Sequence, residues 1–442
     1  MADNEQNSLQ DSDFLREKIK ERPLNKKRLL RRTLITAGLG VVFALIACIT
    51  FLIIEPFISK RLAPEEKPKV VEFPEEIDIS EEIAPEDMLV EEETEPAESE
   101  PQEIPEEKIE EIVATIPKTL DDYNQLGDAS LEYVREQQKA MVTVTGAVSG
   151  TDWFNETYES KGASAGVIFF DNDIDLLILA DRTNIAKAET ISVTFYDGSV
   201  IEGYIKMHDA ETNLAVIGVP RLSIPDSLME NLKIASFGSS NPVNGLAGTQ
   251  VVALGSPVGH ERSVCFGRIT SDSSVINKAD SNYKLITTDI YGSSAGTGVL
   301  MDMRGQVIGM IAMKENPSDM SNAVCAFGIS ELKKIITKMG NGNEIPYVGI
   351  VGTDVTLEIH NTQDIPYGAF IKEIAMDSPA MLAGIQRGDV ITSVNDKSID
   401  RFATYTNAIM NAHVGEVLNI TVMRPTQDEY KEMTFKVEVT TN

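Results

Sequence analysis

The apolar positions of the chain change period several times, and each change predicts an element. Thr33 to Ile54 is a run of 22 residues without a charge, closed by Glu55. As a helix it would be about 33 Å long, enough to cross a hydrocarbon core. A secretory signal has a shorter apolar region, roughly 7–15 residues, followed by a small-residue cleavage site. Thr50-Phe-Leu-Ile-Ile-Glu-Pro offers no such site, so the pattern predicts a retained transmembrane helix over 33–55. From 119 to 139, Leu120, Tyr123, Leu131 and Val134 recur roughly on one side, which predicts a helix. After it the period drops to two. Met141-Val-Thr-Val-Thr-Gly alternates, as does Ile191-Ser-Val-Thr-Phe, which meets the turn signal Asp197-Gly198 and returns through Ile201, Ile205 and Met207.

Further short strands are predicted at Leu214 to Val219, Gln250 to Gly255, Val264 to Thr270, Leu285 to Thr288, Gly298 to Met303, Gln306 to Met313 and Val324 to Ile329. Many short strands with Gly, Pro, Asn and Asp between them predict a β-barrel or sandwich. Ser330 to Met339 reads as a helix, with Ser330 as N-cap and Gly340 past its end. After a linker at 341–346, a second unit carries strands near Tyr347 to Val351, Ala369 to Ile374, Val390 to Val394, Leu418 to Met423 and Phe435 to Val439. Helical stretches at Ser378 to Ala383 and Tyr405 to Ala412 make it a small α+β module.

Charge orients the chain. Lys26, Lys27, Arg28, Arg31 and Arg32 precede the apolar run, while its other side opens on Glu55. The positive-inside rule therefore expects residues 1–32 as a cytoplasmic tail and everything beyond the span outside a cell membrane. Residues 71–110 hold 18 Asp or Glu and one basic residue, Lys108, which is −17 of the net −30. Such a stretch with scattered prolines buries no core, so 56–118 is expected to be an extended, disordered spacer, with capture of a cation or partner as its other possible use. No basic patch points to nucleic acid. Cys48 falls in the span; Cys265 and Cys325 sit in apolar strand runs and are expected as buried thiols rather than a disulfide, although the compartment would permit one. No Cys or His spacing suggests a metal site, and no cofactor is implied.

The blocks Ser164-Ala-Gly-Val-Ile, Leu177-Ile-Leu, Tyr196-Asp-Gly, Thr212-Asn-Leu-Ala-Val, Ala253-Leu-Gly-Ser-Pro-Val-Gly and Thr288-Asp289 follow one another in the order of the HtrA (Deg) serine proteases. The later unit resembles a PDZ domain, through Tyr347-Val-Gly-Ile and Ser378-Pro-Ala-Met-Leu-Ala-Gly-Ile-Gln-Arg-Gly-Asp-Val-Ile. The likeness covers about residues 140–442, and with the apolar run ahead of it the chain resembles anchored Gram-positive members. It implies a mainly β chain: a chymotrypsin-like double β-barrel with its leading helix over 119–340, then an α+β PDZ domain over 345–442.

The resemblance also assigns positions for chemistry. Acyl transfer by this family needs a nucleophilic hydroxyl, a His to take its proton and a carboxylate to orient the His. Where the family has that His this chain has Thr183; where it has the Asp, Asn213; where it has the Ser, Gly296. Ser293, Ser294 and Thr297 are nearby hydroxyls, and His208 beside Asp209 is the nearest substitute base. The expectation is therefore a degenerate triad and no proteolysis, the alternatives being a peptidase with a rearranged site or a purely structural homo-oligomer. Tyr347, Val348, Gly349 and Ile350 stand where the family binds a peptide carboxylate. They imply capture of C-terminal or unfolded segments of extracytoplasmic proteins, with intramolecular docking as the competing use. Family members commonly form homo-trimers through their barrels.

Overall fold

The computed structural model describes residues 68–74, 120–151, 157–317, 320–427 and 429–441, together with residues 34, 37–42 and 45. The chain divides between Lys67 and Pro68 into two units. In the first, the described residues are helical and Leu34, Leu39, Val41, Val42 and Leu45 are exposed. Most of Thr33 to Ile54, the tail 1–32 and most of the expected spacer lie outside the described residues. Among the described residues no helix is long and apolar enough to cross a membrane.

The second unit opens with a piece of the expected spacer that is folded. Val71 is fully buried: its N–H donates to Asn341 Oδ1 at 2.8 Å, and Asn341 Nδ2 donates back to its carbonyl at 3.0 Å. Phe73 stacks on Phe237 with ring centroids 5.2 Å apart. The apolar trio Val70, Val71 and Phe73 precedes the dense acidic run, so local composition overrides the average of the stretch. Helix α1 (Leu120–Gln138) carries Asp121 and Asp122 in its first turn and Arg135 in its last, as the helix dipole favours. Of the stripe expected to face a core, only Val134 is buried; Leu120, Tyr123 and Leu131 are exposed because the last turn alone docks on the barrel.

Six strands close the first barrel in the order β1-β2-β3-β6-β5-β4: β1 (Met141–Thr151), β2 (Thr157–Asp171), β3 (Asp175–Asp181), β4 (Thr190–Thr194), β5 (Val200–His208) and β6 (Leu214–Pro220). The Asp197-Gly198 turn forms between β4 and β5, with Gly198 at φ +90°. The second sheet holds β7 (Ser236–Phe237), β8 (Gln250–Ser256), β9 (Ser263–Lys278), β10 (Ser281–Tyr291), β11 (Thr297–Asp302), β12 (Gln306–Ile311) and β13 (Ala323–Gly328). Pairing of β11 with β12 closes it into a second six-stranded barrel, with β7 added beside β12. The barrels share a core: Leu177, Leu179 and Val216 from the first meet Leu254, Val299 and Met301 from the second.

Helix α2 (Ile329–Gly340) lies against this core through Leu332, Ile336 and Met339. Its N-cap is Gly328; Ser330, expected there, instead exchanges hydrogen bonds with Ser240, accepting from its N–H at 2.9 Å and donating its own N–H to the Ser240 hydroxyl at 3.0 Å.

The C-terminal sheet runs β14-β15-β16-β18-β19, with β17 on β16: β14 (Ile350–Asp354), β15 (Ala369–Ile374), β16 (Val390–Val394), β17 (Lys397–Ser398), β18 (Val417–Pro425) and β19 (Tyr430–Glu438). Helices α3 (Leu357–Gln363), α4 (Pro379–Ala383) and α5 (Phe402–Asn411) cover it. The Ser378-Pro-Ala-Met-Leu-Ala-Gly block reads directly as α4. The Ser378 hydroxyl accepts from the Met381 N–H, Pro379 takes the first turn, and Gly384 ends the helix at φ +92°. Met410 of α5 reaches the core shared by the two barrels.

Candidate functional site

Strands β3 and β6 bring together the two residues expected at the base and carboxylate positions. They are antiparallel and nearly fully buried, and Asp181 at the end of β3 pairs with Leu214 at the start of β6. Thr183 and Asn213 therefore sit side by side just beyond the paired ends. Asn213 Nδ2 donates to Thr183 Oγ1 at 2.6 Å, while Asp181 Oδ1 accepts from the Thr183 N–H at 2.7 Å. This is the juxtaposition a base and its orienting carboxylate need. Neither group present can take a proton at neutral pH.

The third position is closed. Ser293 N–H donates to Pro257 O at 2.9 Å, Ala295 N–H to Ser293 Oγ at 3.2 Å, and Gly296 N–H to Ser293 O at 2.7 Å. The loop thus consumes its own donors, where an oxyanion hole would keep backbone N–H groups for substrate. A Cβ on Gly296 would lie 2.5 Å from Pro257 O and 2.9 Å from Ser293 O, both backbone atoms. No side chain fits at 296 in this loop. The neighbouring residues Asn184 and Ala295 line one cleft of about 200 Å³, with Ser164, Tyr196 and Arg262 on its walls.

The substitute residues do not converge there. Thr297 is buried and its hydroxyl accepts from the Ala165 N–H at 2.9 Å. His208 lines a different cavity, beside Asp280 and Tyr347. Burial, and then the charge of Arg182, hold its pKa below the ordinary value. The Asp209 carboxylate is taken by Thr212, through N–H at 2.8 Å and hydroxyl at 2.6 Å. Cys265 and Cys325 are free; burial pushes the Cys325 thiol up to about 12.

In the C-terminal unit, the loop Tyr347 to Ile350 leads into β14, and it holds a carboxylate. Val348 and Gly349 N–H donate to Asp280 Oδ2 at 2.6 and 2.7 Å, and Ile350 N–H donates to Asp280 Oδ1 at 3.0 Å. Tyr405 of α5 adds its hydroxyl to Oδ1 at 2.6 Å. Gly349 sits at φ +89°, and a Cβ on it would meet Ser378 Cβ at 2.3 Å, so glycine is required on both counts. Tyr347 anchors this frame through its backbone, pairing with Thr440 through both its N–H and its carbonyl. Asp280 and Tyr405 were not singled out by sequence. The only signal was an Ala-Asp pair between polar runs, which marks a turn and says nothing about what the turn touches.

Two closed six-stranded barrels followed by this α+β unit define a trypsin-like peptidase fold joined to a PDZ domain. The profile of the trypsin-like peptidase domain matches residues 164–310 and that of the PDZ domain residues 370–424. The chain is 26% identical over 299 residues to the serine protease Do-like HtrA of Bacillus subtilis, covering 63% of this chain and 64% of that protein. It is 26% identical over 302 residues to the serine protease Do-like HtrA of Lactobacillus helveticus, covering 64% and 70%. A solved variant of the HtrA-type protease AlgW with a decapeptide shares the fold, at a TM-score of 0.50 and 18% identity over 71% of this chain and 97% of that one. The chain therefore carries a trypsin-like peptidase domain and a PDZ domain and is similar to the HtrA/Do serine proteases.

Proposed function

We propose that this protein is a membrane-anchored HtrA-like pseudoprotease, which binds C-terminal or unfolded segments of extracytoplasmic proteins and does not cleave them. The observation that carries the reading is the state of the triad positions: Asn213 bonds to Thr183 in the right place with the wrong groups, and Gly296 has no room for a side chain. Losing the triad leaves at most a residual ~10³–10⁴-fold acceleration from the oxyanion hole and binding, and here the Gly296 N–H is already taken by Ser293 O. The frame around residues 347–350 supports carboxylate capture, because it supplies three converging N–H groups to one carboxylate. The uncharged run Thr33 to Ile54, with exposed Leu39, Val41, Val42 and Leu45, supports the anchor. Homology to the HtrA/Do proteins supports a role in envelope protein quality control or scaffolding.

The test is one preparation and two assays. Full-length protein in detergent is incubated with labelled casein and, separately, with a library of peptides carrying free or amidated C-termini. The reading expects no turnover and carboxylate-dependent binding. Casein cleavage abolished by an active-site serine reagent would overturn the first half, and equal binding of acid and amide forms the second.

A further inference from the structure

The carboxylate in the PDZ loop comes from the barrel. Asp280 lies at the tip of the β9–β10 hairpin, where Lys278 pairs with Ser281 and leaves Ala279 and Asp280 as a two-residue turn, Asp280 at φ +59°. The tip reaches between β14 and α5, and Asp280 is 2% exposed. Besides receiving four hydrogen bonds on its carboxylate, Asp280 donates its own N–H to Ile350 O at 2.7 Å. A peptide C-terminus offers the same pair of groups, one carboxylate and the N–H of the same residue. Asp280 therefore satisfies the loop and begins the strand pairing that an incoming peptide would continue. Among the described strands β14 pairs with β15 alone, so its edge on the hairpin side has no strand partner.

The contact is built to hold yet poorly suited to permanence. Lys372 Nζ donates to Asn277 Oδ1 at 3.0 Å and Lys278 pairs with Glu315 at 2.8 Å, which steadies the hairpin. However, Asp280 adjoins a cavity of about 260 Å³ lined also by Lys206, His208, Asp209, Glu211 and Glu344, so the junction has room to rearrange. Burial raises the Asp280 carboxyl above its ordinary range against the pull of the Gly349, Tyr405, Ile350 and Val348 hydrogen bonds. A carboxylate arriving with a longer chain can pair with several residues of β14, where the hairpin tip supplies one N–H.

We propose that Asp280 is an internal competitor for the PDZ carboxylate loop, and that a protein C-terminus binds by displacing the β9–β10 hairpin tip. The inference rests on the peptide-binding reading above and adds its regulation: the closed chain keeps the site self-occupied, and binding is coupled to release of the hairpin from the PDZ domain.

The test uses full-length protein in detergent and two fluorescent decapeptides of one sequence ending in valine, one a free acid and one an amide. Affinity is measured by anisotropy for the wild type, Asp280→Ala and Asp280→Asn, with folding checked by circular dichroism. Hydrogen exchange is followed over residues 276–283 and 347–351. A hairpin docked about nine-tenths of the time weakens apparent affinity about tenfold. Asp280→Ala should therefore bind the acid about tenfold more tightly than the wild type, Asp280→Asn should fall between, and the amide should not respond. Saturating acid peptide should speed exchange over residues 276–283 of the wild type, an arm that needs no variant to fold. Equal, carboxylate-dependent affinity in wild type and Asp280→Ala, with residues 276–283 still protected, would overturn the competitor and leave the peptide reading standing. Binding by none of the folded proteins would overturn both.

Discussion

The loop at 293–296 and the loop at 347–350 are each a short run of backbone whose N–H groups mark a site, and they are satisfied in opposite ways. In the barrel, Gly296 and Ser293 donate to carbonyls of Ser293 and Pro257, within or next to the loop itself. In the PDZ domain, three N–H groups donate to the side chain of Asp280, about seventy positions earlier in the chain. Buried backbone donors must find partners somewhere. Where the partners are backbone carbonyls of the loop and of the segment packed on it, no ligand can claim the donors without reshaping the loop. Where the partner is a side chain on another element, the donors keep their convergent arrangement and another carboxylate can take its place. The first site is closed by its shape, the second only by its occupant. Strand β10 joins them, running from Ser281 at the hairpin tip to Tyr291, one residue before Gly292 opens the barrel loop.

The sharpest way to break this comparison is to rebuild the triad. A complete triad is worth about 10⁶-fold in kcat in a working protease, and its members act as a unit. Thr183→His, Asn213→Asp and Gly296→Ser together should still recover none of it. The serine Cβ has to enter a space 2.5 Å from Pro257 O, and Gly296 N–H remains bonded to Ser293 O unless the loop changes. Casein hydrolysis by the wild type, the three single variants and the triple variant checks this. Turnover by the triple variant that a serine reagent stops would mean that the barrel loop is as adaptable as the PDZ loop.

A stability measurement sharpens the PDZ side. Gly349→Ala combines a left-handed backbone at φ +89° with a Cβ 2.3 Å from that of Ser378, whereas Gly384→Ala shares the left-handed backbone, φ +92°, and meets nothing closer than Phe435 at 3.7 Å. The strain alone costs roughly 1–2 kcal/mol, and overpacking adds about 1–3 kcal/mol. Urea unfolding should therefore show Gly349→Ala less stable than Gly384→Ala by about the overpacking increment. Equal losses would mean that the loop yields easily around Gly349, against the view that its frame is fixed and only its ligand exchanges.

Much of this frame was legible because it is written in local chemistry. The Asp197-Gly198 turn, the Ser378-Pro379 helix start and the Gly384 stop each follow from residues within a few positions of one another. The positions Thr183, Asn213 and Gly296 could be picked out because the blocks around them resemble the HtrA motifs, and the paired ends of β3 and β6 set Thr183 beside Asn213. The hairpin that fills the PDZ loop was not legible. Strands were expected only over Val264 to Thr270 and Leu285 to Thr288, yet β9 and β10 continue to Lys278 and from Ser281. The extension is Ser271-Asp-Ser-Ser-Val-Ile-Asn-Lys, too polar to alternate, because it leaves the barrel and its partner is a domain later in the chain. Val71 is illegible for the same reason: three apolar residues ahead of an acidic run carry no period, and its partners, Asn341 and the α2 end, are about 270 residues away. What sequence pattern missed in both cases is a contact between segments that share no local grammar.

The smallest effect expected concerns the Thr183–Asn213 pair. Thr183 is exposed, and its hydroxyl accepts one hydrogen bond, from Asn213 Nδ2 at 2.6 Å; the same Nδ2 also reaches Asp181 Oδ1 at 3.4 Å. Removing the Thr183 hydroxyl leaves the Asn213 amide near water and near Asp181, so no buried donor is orphaned, and an exposed hydrogen bond of this kind contributes little. Thr183→Ala should thus change stability by no more than about 0.5 kcal/mol. Asn213→Ala should cost more, roughly 1–2 kcal/mol, because Asn213 holds a left-handed backbone at φ +58° that alanine resists. Asn213→Gly should recover most of that loss, since glycine adopts this backbone without a steric penalty. Urea midpoints for the three variants separate the backbone contribution from the hydrogen bond. A loss of 2 kcal/mol or more for Thr183→Ala, on the order of a buried unsatisfied group, would make the Thr183–Asn213 pair a structural keystone. The proposed loss of the triad would then have been accompanied by a refit of the site for stability.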